Sequence, residues 1–185
     1  DVGTLLNKML MAIDIKKEKI YSTYAVNFRP KEDKKPILIG GGVGIAPILN
    51  LHKHLSSIRI DHILIMGARY KNEHFIEHNP DKGIYVCTEL DDWGFNGNVI
   101  TALDKISFND FQSSKIFSCG PPGMMKAVAN YSQSNNIECE LALETIMACG
   151  IGICQGCTIV KKSKCSDDSY RNKFVLACMD GPVFN

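Results

Sequence analysis

The sequence predicts an α/β protein: a parallel five-stranded sheet with helices on both faces, followed by a small cysteine-bearing module. Three observations lead there. Short, continuous apolar runs alternate with stretches of helical spacing, the pattern of strands buried on both faces of a parallel sheet. Gly-rich turns close the first two runs, as at the ends of strands. Four of the cysteines then gather near the C-terminus, after the last of these strands.

The strands and helices follow in order. Pro36-Ile37-Leu38-Ile39 is the first apolar run and ends in Gly40-Gly41-Gly42. Ile48, Leu49, Leu51, His52 and Leu55 then recur at helical spacing. His62-Ile63-Leu64-Ile65-Met66 is the second strand, closed by Gly67. A short helix is expected over Asn72 to His78. Gly83 to Thr88 is the third strand, Val99 to Ile106 a helix, and Lys115 to Cys119 the fourth strand. Pro122 to Ser134 reads as a helix, with Pro in the first turn where its missing N–H does no harm. Ile137 to Leu143 completes the five strands. Lys173 to Ala177 is strand-like and precedes a turn at Asp180-Gly181-Pro182.

Two domains and an N-terminal remnant are expected. Residues 36–143 form the sheet domain and residues 144–185 the cysteine module. Residues 1–35 are too few for a domain and read as a helix (Leu5 to Met11), a strand and a charged linker (Arg29 to Lys35).

Bulk properties narrow the function. The chain has 185 residues, 45% hydrophobic and 22% charged, which is ordinary for a globular protein. A net charge of +1 gives no electrostatic case for nucleic acid or an anionic membrane. No apolar run approaches the ~18 residues that span a bilayer, and no signal-peptide pattern is visible. The expected compartment is cytoplasmic and reducing, with Cys87, Cys119, Cys139 and Cys165 as free thiols.

Three loops carry the chemistry. Gly40-Gly41-Gly42-Val43-Gly44-Ile45-Ala46-Pro47 lies between the first strand and the first helix. Ligands of open α/β sheets bind at such carboxyl ends, where glycines let backbone N–H groups approach a pyrophosphate. The run departs from G-x-G-x-x-G, so a tight turn without a ligand stays an alternative. Cys119-Gly120-Pro121-Pro122-Gly123-Met124 closes the fourth strand on the same edge, and the two loops together suit an extended cofactor.

The third loop is Cys149-Gly150-Ile151-Gly152-Ile153-Cys154-Gln155-Gly156-Cys157, with Cys178 a further 21 positions on. C-x4-C-x2-C with a distant fourth Cys is the plant-type spacing for four thiolates holding a 2Fe–2S cluster. Gly150, Gly152 and Gly156 let the backbone wrap closely, with N–H groups turned toward sulfur. A structural zinc site is the alternative, although zinc motifs usually pair cysteines as two short C-x2-4-C units. The expected metal ligands are Cys149, Cys154, Cys157 and Cys178.

With these loops in hand, the chain resembles the electron-transfer subunits of the NAD-dependent type of dihydroorotate dehydrogenase, within the ferredoxin-reductase superfamily. Gly41 to Pro47 is similar to the family's nicotinamide-nucleotide loop, and Cys119-Gly120-Pro121 to its C-G-P loop beside the nicotinamide. Cys149 through Cys157 is similar to its cluster loop, and Cys178-Met179-Asp180-Gly181-Pro182-Val183-Phe184 to its ending. That ending makes Cys178 rather than Cys165 the fourth ligand.

The resemblance implies NAD, FAD and a 2Fe–2S cluster as cofactors. It also implies a partner, the FMN-bearing catalytic subunit that oxidises dihydroorotate, in a heterotetramer. Electrons would run between that partner and NAD through the cluster and FAD. Gly3-Thr4 resembles the turn that touches the FAD pyrophosphate. The family's Arg-x-Tyr-Ser flavin motif is absent, and its Gly-Pro-Leu-Gly linker reads Ser22-Thr23-Tyr24-Ala25 here. Residues 1–35 are therefore expected to be a remnant of the flavin-binding barrel and its linker. The small subunits of ferredoxin–NADP reductases and sulfhydrogenases look alike in the cluster loop. A non-catalytic zinc-binding module is the reading from a different class. Arg69, just past the second strand, suits a 2′-phosphate, but the resemblance favours NAD.

Overall fold

In the computed structural model, residues 28, 30, 33–106, 113–161 and 173–185 are described. The expected N-terminal helix, Gly3, Thr4 and Cys165 lie outside these residues. The central strands are β1 (Lys35–Gly41), β2 (Ile63–Ala68), β3 (Ile84–Thr88), β5 (Ser114–Cys119) and β6 (Glu138–Ala142). All five run parallel, as expected. Two two-residue strands extend the sheet, β4 (Phe95–Asn96) and β9 (Val183–Phe184), giving the order β4-β3-β2-β1-β5-β6-β9. β9 is antiparallel to β6, because the chain returns from the cysteine module at the sheet edge.

Alternation along the strands explains the layers. Ile37, Ile39, Ile63, Ile65 and Ile116 point to one face and pack with Val99, Ala102, Leu103 and Val128. The last four belong to α2 (Val99–Lys105) and α3 (Pro122–Ser134). Leu38, Leu64, Met66 and Phe117 point to the other face, beneath Ile45, Ile48, Leu51 and Leu55 of α1 (Ile45–Ser57). Each fully buried aliphatic side chain contributes about 1.5–3 kcal/mol, so a sheet apolar on both faces must be covered twice. Asn98 starts α2, its Oδ1 accepting from the N–H groups of Ile100 and Thr101 at 3.0 and 3.1 Å. A buried ion pair, Lys115 Nζ to Glu140 Oε1 at 2.6 Å, links β5 and β6.

One expected element differs. In place of a helix over Asn72 to His78 there is a single 3-10 turn, Lys71–Glu73. His74 already has extended backbone, and no apolar stripe at helical spacing was there to hold a longer helix.

The cysteine module adds a two-stranded antiparallel ribbon, β7 (Thr158–Val160) with β8 (Phe174–Leu176), and a one-turn helix α4 (Ala177–Asp180). The N–H of Ala177 donates to the Cys157 carbonyl at 3.0 Å, and the N–H of Leu143 to Pro182 at 2.9 Å. The first bond closes the module on itself, and the second ties its C-terminal turn to the residue that follows β6.

Candidate functional site

The sheet reverses its winding between β1 and β5. Strands β2 and β3 lie to one side of β1, and β5 and β6 to the other. In doubly wound sheets this switch point is where the crevice forms. β1 runs through Gly41 into a 3-10 turn, Gly42–Gly44, and then α1. β5 runs through Cys119 into Gly120, Pro121 and α3. Gly40 pairs with Cys119 in register, so the two loops leave the sheet side by side.

They touch backbone to backbone. A Cβ on Gly44 would strike the Cys119 carbonyl and the Gly120 nitrogen. A Cβ on Gly120 would stand 3.0 Å from the Gly41 oxygen, and the Met124 side chain lies over both glycines. Two 13-residue helices, α1 and α3, therefore begin at this crevice and turn their N-terminal N–H groups and dipoles to it. That arrangement suits an anionic pyrophosphate. Val43, half-exposed, Ile45, Ala46 and Pro47 complete the rim and the first helical turn. Cys119 sits at the base, its thiol pushed up to about 11 by burial, with Glu144 adding to the rise. It is a neutral thiol at physiological pH.

Beyond β2 the structure shows what the sequence reading missed. The Glu73 carboxylate turns back and its Oε2 accepts the N–H groups of Arg69 at 2.9 Å and Tyr70 at 3.2 Å. Asp91 Oδ2 accepts the Lys71 N–H at 2.6 Å, and Tyr70, Lys71, Asn72 and Asp91 line a recess there. The sequence signal is only partial: Glu73 stands at the spacing of a capping box, but Tyr70 is not the Ser or Thr that opens one.

The cysteine loop continues from β6, whose last residue Ala142 pairs with Cys119. The module thus starts at the same end of the sheet as the crevice. Gly150 and Gly152 have φ of 68° and 79°, the left-handed region that glycine supplies freely, and Gln155 follows at 56°. These turns bring the sulfurs together as two pairs. The Cys154 N–H donates to Cys149 Sγ at 3.3 Å, and the Cys157 and Cys178 sulfurs stand 3.2 Å apart. The Gly156 N–H donates to Cys154 Sγ at 3.4 Å, and the Cys178 N–H reaches Cys157 Sγ at 3.5 Å.

Donated N–H groups decide the charge. Cys149 is lowered to about 6, first by the Cys154 N–H and then by that of Ile151. The Cys178 N–H lowers Cys157, while the proton shared with Cys157 keeps Cys178 raised. Among the described residues, no group of three or more His, Cys, Asp or Glu side chains closes round a single ion position. Two pairs suit a cluster of two irons, each taking two thiolates, better than one tetrahedral ion. Several apolar side chains flanking the cysteines in the chain are exposed: Ile146, Ile151, Ile153 and Met179, Ile146 at 89%.

The comparisons with known proteins follow the same division. Residues 38–130 match the family described as the oxidoreductase NAD-binding domain. Residues 144–185 match the iron-sulfur cluster binding domain of dihydroorotate dehydrogenase B. Among curated proteins, the chain is similar to the dihydroorotate dehydrogenase B (NAD(+)) electron transfer subunit of Caldanaerobacter subterraneus subsp. tengcongensis. The two are 33% identical over 90% of this chain and 63% of that protein. The corresponding subunit of Fusobacterium nucleatum is 35% identical over 83% of this chain and 56% of its own length. The chain therefore spans between about half and two thirds of these relatives. Among solved structures, one of an NADH-dependent reduced ferredoxin-NADP oxidoreductase, studied for flavin-based electron bifurcation, superposes with a TM-score of 0.65. It is 26% identical over 84% of this chain and 55% of that one.

Proposed function

The chain belongs to the oxidoreductase NAD-binding domain family, and on that premise we propose that it is an electron-transfer subunit. It passes electrons between a dihydroorotate-oxidising flavoprotein partner and NAD, in pyrimidine biosynthesis. The observation that carries this reading is the two-pair arrangement of Cys149 with Cys154 and Cys157 with Cys178 on a loop that starts beside the nucleotide crevice. Similarity to the curated electron transfer subunits, and to the cluster domain over residues 144–185, supports it.

The chain's own residues have distinct tasks. Gly41 to Pro47 and Cys119 to Pro121 receive the nicotinamide nucleotide, its pyrophosphate at the α1 N-terminus. Cys149, Cys154, Cys157 and Cys178 hold the 2Fe–2S cluster as thiolates, which N–H donors already favour at Cys149 and Cys157. When bound, the cluster supplies one-electron exchange, and FAD supplies the conversion to the two-electron hydride chemistry of nicotinamide. Gly3 and Thr4 are the proposed FAD contacts. The exposed Ile146, Ile151, Ile153 and Met179 form an apolar rim that suits a protein partner, in the proposed heterotetramer. In the net reaction dihydroorotate gives up two electrons and two protons, and NAD+ takes a hydride with release of one proton.

The test uses the chain assembled with its catalytic partner. NAD-dependent orotate formation is expected, and Cys178→Ser should abolish it. Oxidation of dihydroorotate by an artificial acceptor at the partner should survive. NAD reduction at the wild-type rate in Cys178→Ser would refute the assignment. One observation favours a second reading: the solved structure of the ferredoxin-NADP oxidoreductase has the same fold over most of the chain. Reduction of ferredoxin by the purified chain, without turnover of dihydroorotate by any assembled complex, would select it.

A further inference from the structure

We infer that Glu73 makes the nucleotide crevice select NAD over NADP. This rests on the crevice being the nicotinamide-nucleotide site proposed above. The sequence offers an ambiguous signal at the end of β2, where Gly67-Ala68-Arg69 places a cation at the position from which Arg commonly accommodates a 2′-phosphate. The fold changes that meaning. The 3-10 turn after Tyr70 swings Glu73 back over the strand end, four residues behind its own position.

Two consequences follow. First, the N–H groups of Arg69 and Tyr70, the first two past the end of β2, both already donate to Glu73 Oε2 and are not open to a 2′-phosphate. Second, the carboxylate places a negative charge where the phosphate would bring about two more. Both of these bonds fall on Oε2, leaving Oε1 to accept a ribose 2′-hydroxyl. That is the role an acidic residue plays at this place in NAD-binding folds. Asp91 strengthens the negative rim and likewise occupies a backbone donor, the Lys71 N–H. Glu73 is exposed, so its effect is partly screened and should weaken with added salt.

The test is the dissociation constants of NADH and NADPH, which differ only by the 2′-phosphate. They are read from the fluorescence of Trp93, the one tryptophan of the chain, whose ring lies 5.4 Å from Lys71 Nζ beside the recess. The wild-type protein is expected to bind NADH at least tenfold more tightly than NADPH at low salt. Glu73→Gln keeps an oxygen for the two N–H groups and removes the charge. It should bring the ratio below about threefold, mainly by tighter NADPH binding, with unchanged circular dichroism. Added salt should narrow the wild-type ratio and leave the variant's nearly unmoved. An unchanged ratio in a folded Glu73→Gln, or a wild-type preference for NADPH, would overturn the proposal alone. A wild-type protein that binds neither nucleotide would overturn the nucleotide reading and this proposal with it.

Discussion

Replacing Gly44 by Ala tests the crevice at its tightest point. Gly44 has φ −68° and ψ −7°, a conformation open to any residue, so backbone strain contributes nothing. The added methyl would instead meet the Cys119 carbonyl carbon and oxygen and the Gly120 nitrogen. These are backbone atoms at the end of a strand paired to β1 over six registered residues, so they cannot swing aside. Restoring van der Waals contact requires the loops to part by about 1 Å, and overpacking of this kind costs about 3 kcal/mol. For a chain of this size that is a fall in Tm of roughly 6–12 °C.

Gly41→Ala is the internal control. Its methyl would meet Met124 Sδ at 2.6 Å, the far part of a flexible side chain, so about 1 kcal/mol and roughly 2–4 °C are expected. Thermal unfolding followed by circular dichroism gives both numbers, and NADH titration should show Gly44→Ala at least tenfold weaker in binding. A Gly44→Ala protein as stable as Gly41→Ala would refute the backbone contact between the loops.

Other outcomes follow from the same structure. Gly123 lies in the first turn of α3 with nothing within 4 Å of an added Cβ, so Gly123→Ala should stabilise by about 0.5 kcal/mol and raise Tm by roughly 1–2 °C. In metal-free protein at pH 7, Cys149, held at about 6, should be alkylated by iodoacetamide well before Cys87, pushed up to about 12 by burial; peptide mass mapping reads the order. Cys87, Cys119 and Cys139 are all raised, the latter two to about 11, mainly by burial, so each prefers its neutral form when folded. Their contribution is full below pH 9 and is lost as pH rises toward 11–12, so Tm should fall across that window, less so in Cys87→Ala. His52 and His74 are lowered, chiefly by burial; their contribution is present above pH 6.5 and lost on acidification below it, readable as a falling Tm.

Much of this fold was legible because its strands are buried on both faces. Runs such as Ile37-Leu38-Ile39 and Ile63 to Met66 need no tertiary information to be recognised, and Pro122 marks the start of α3. The edge strands β4 and β9 were not legible. Each is two residues long and exists only through pairing with a distant strand. The turn at Lys71–Glu73 was misread as a helix because a single carboxylate folding back onto Arg69 and Tyr70 leaves no periodic trace. In the cysteine loop, spacing pointed to four sulfurs, but which sulfur faces which depends on the left-handed turns at Gly150, Gly152 and Gln155. The apolar rim of Ile151, Ile153 and Met179 was hidden for a similar reason, since exposure is a property of the folded surface.

The measurement that tests the central claim most directly is the iron, acid-labile sulfide and zinc content of anaerobically purified protein, read beside its visible spectrum. The account predicts two irons and two sulfides per chain, with colour that bleaches on reduction and is lost in Cys154→Ser. A colourless protein with one zinc and no sulfide would contradict it, as would full colour in Cys154→Ser.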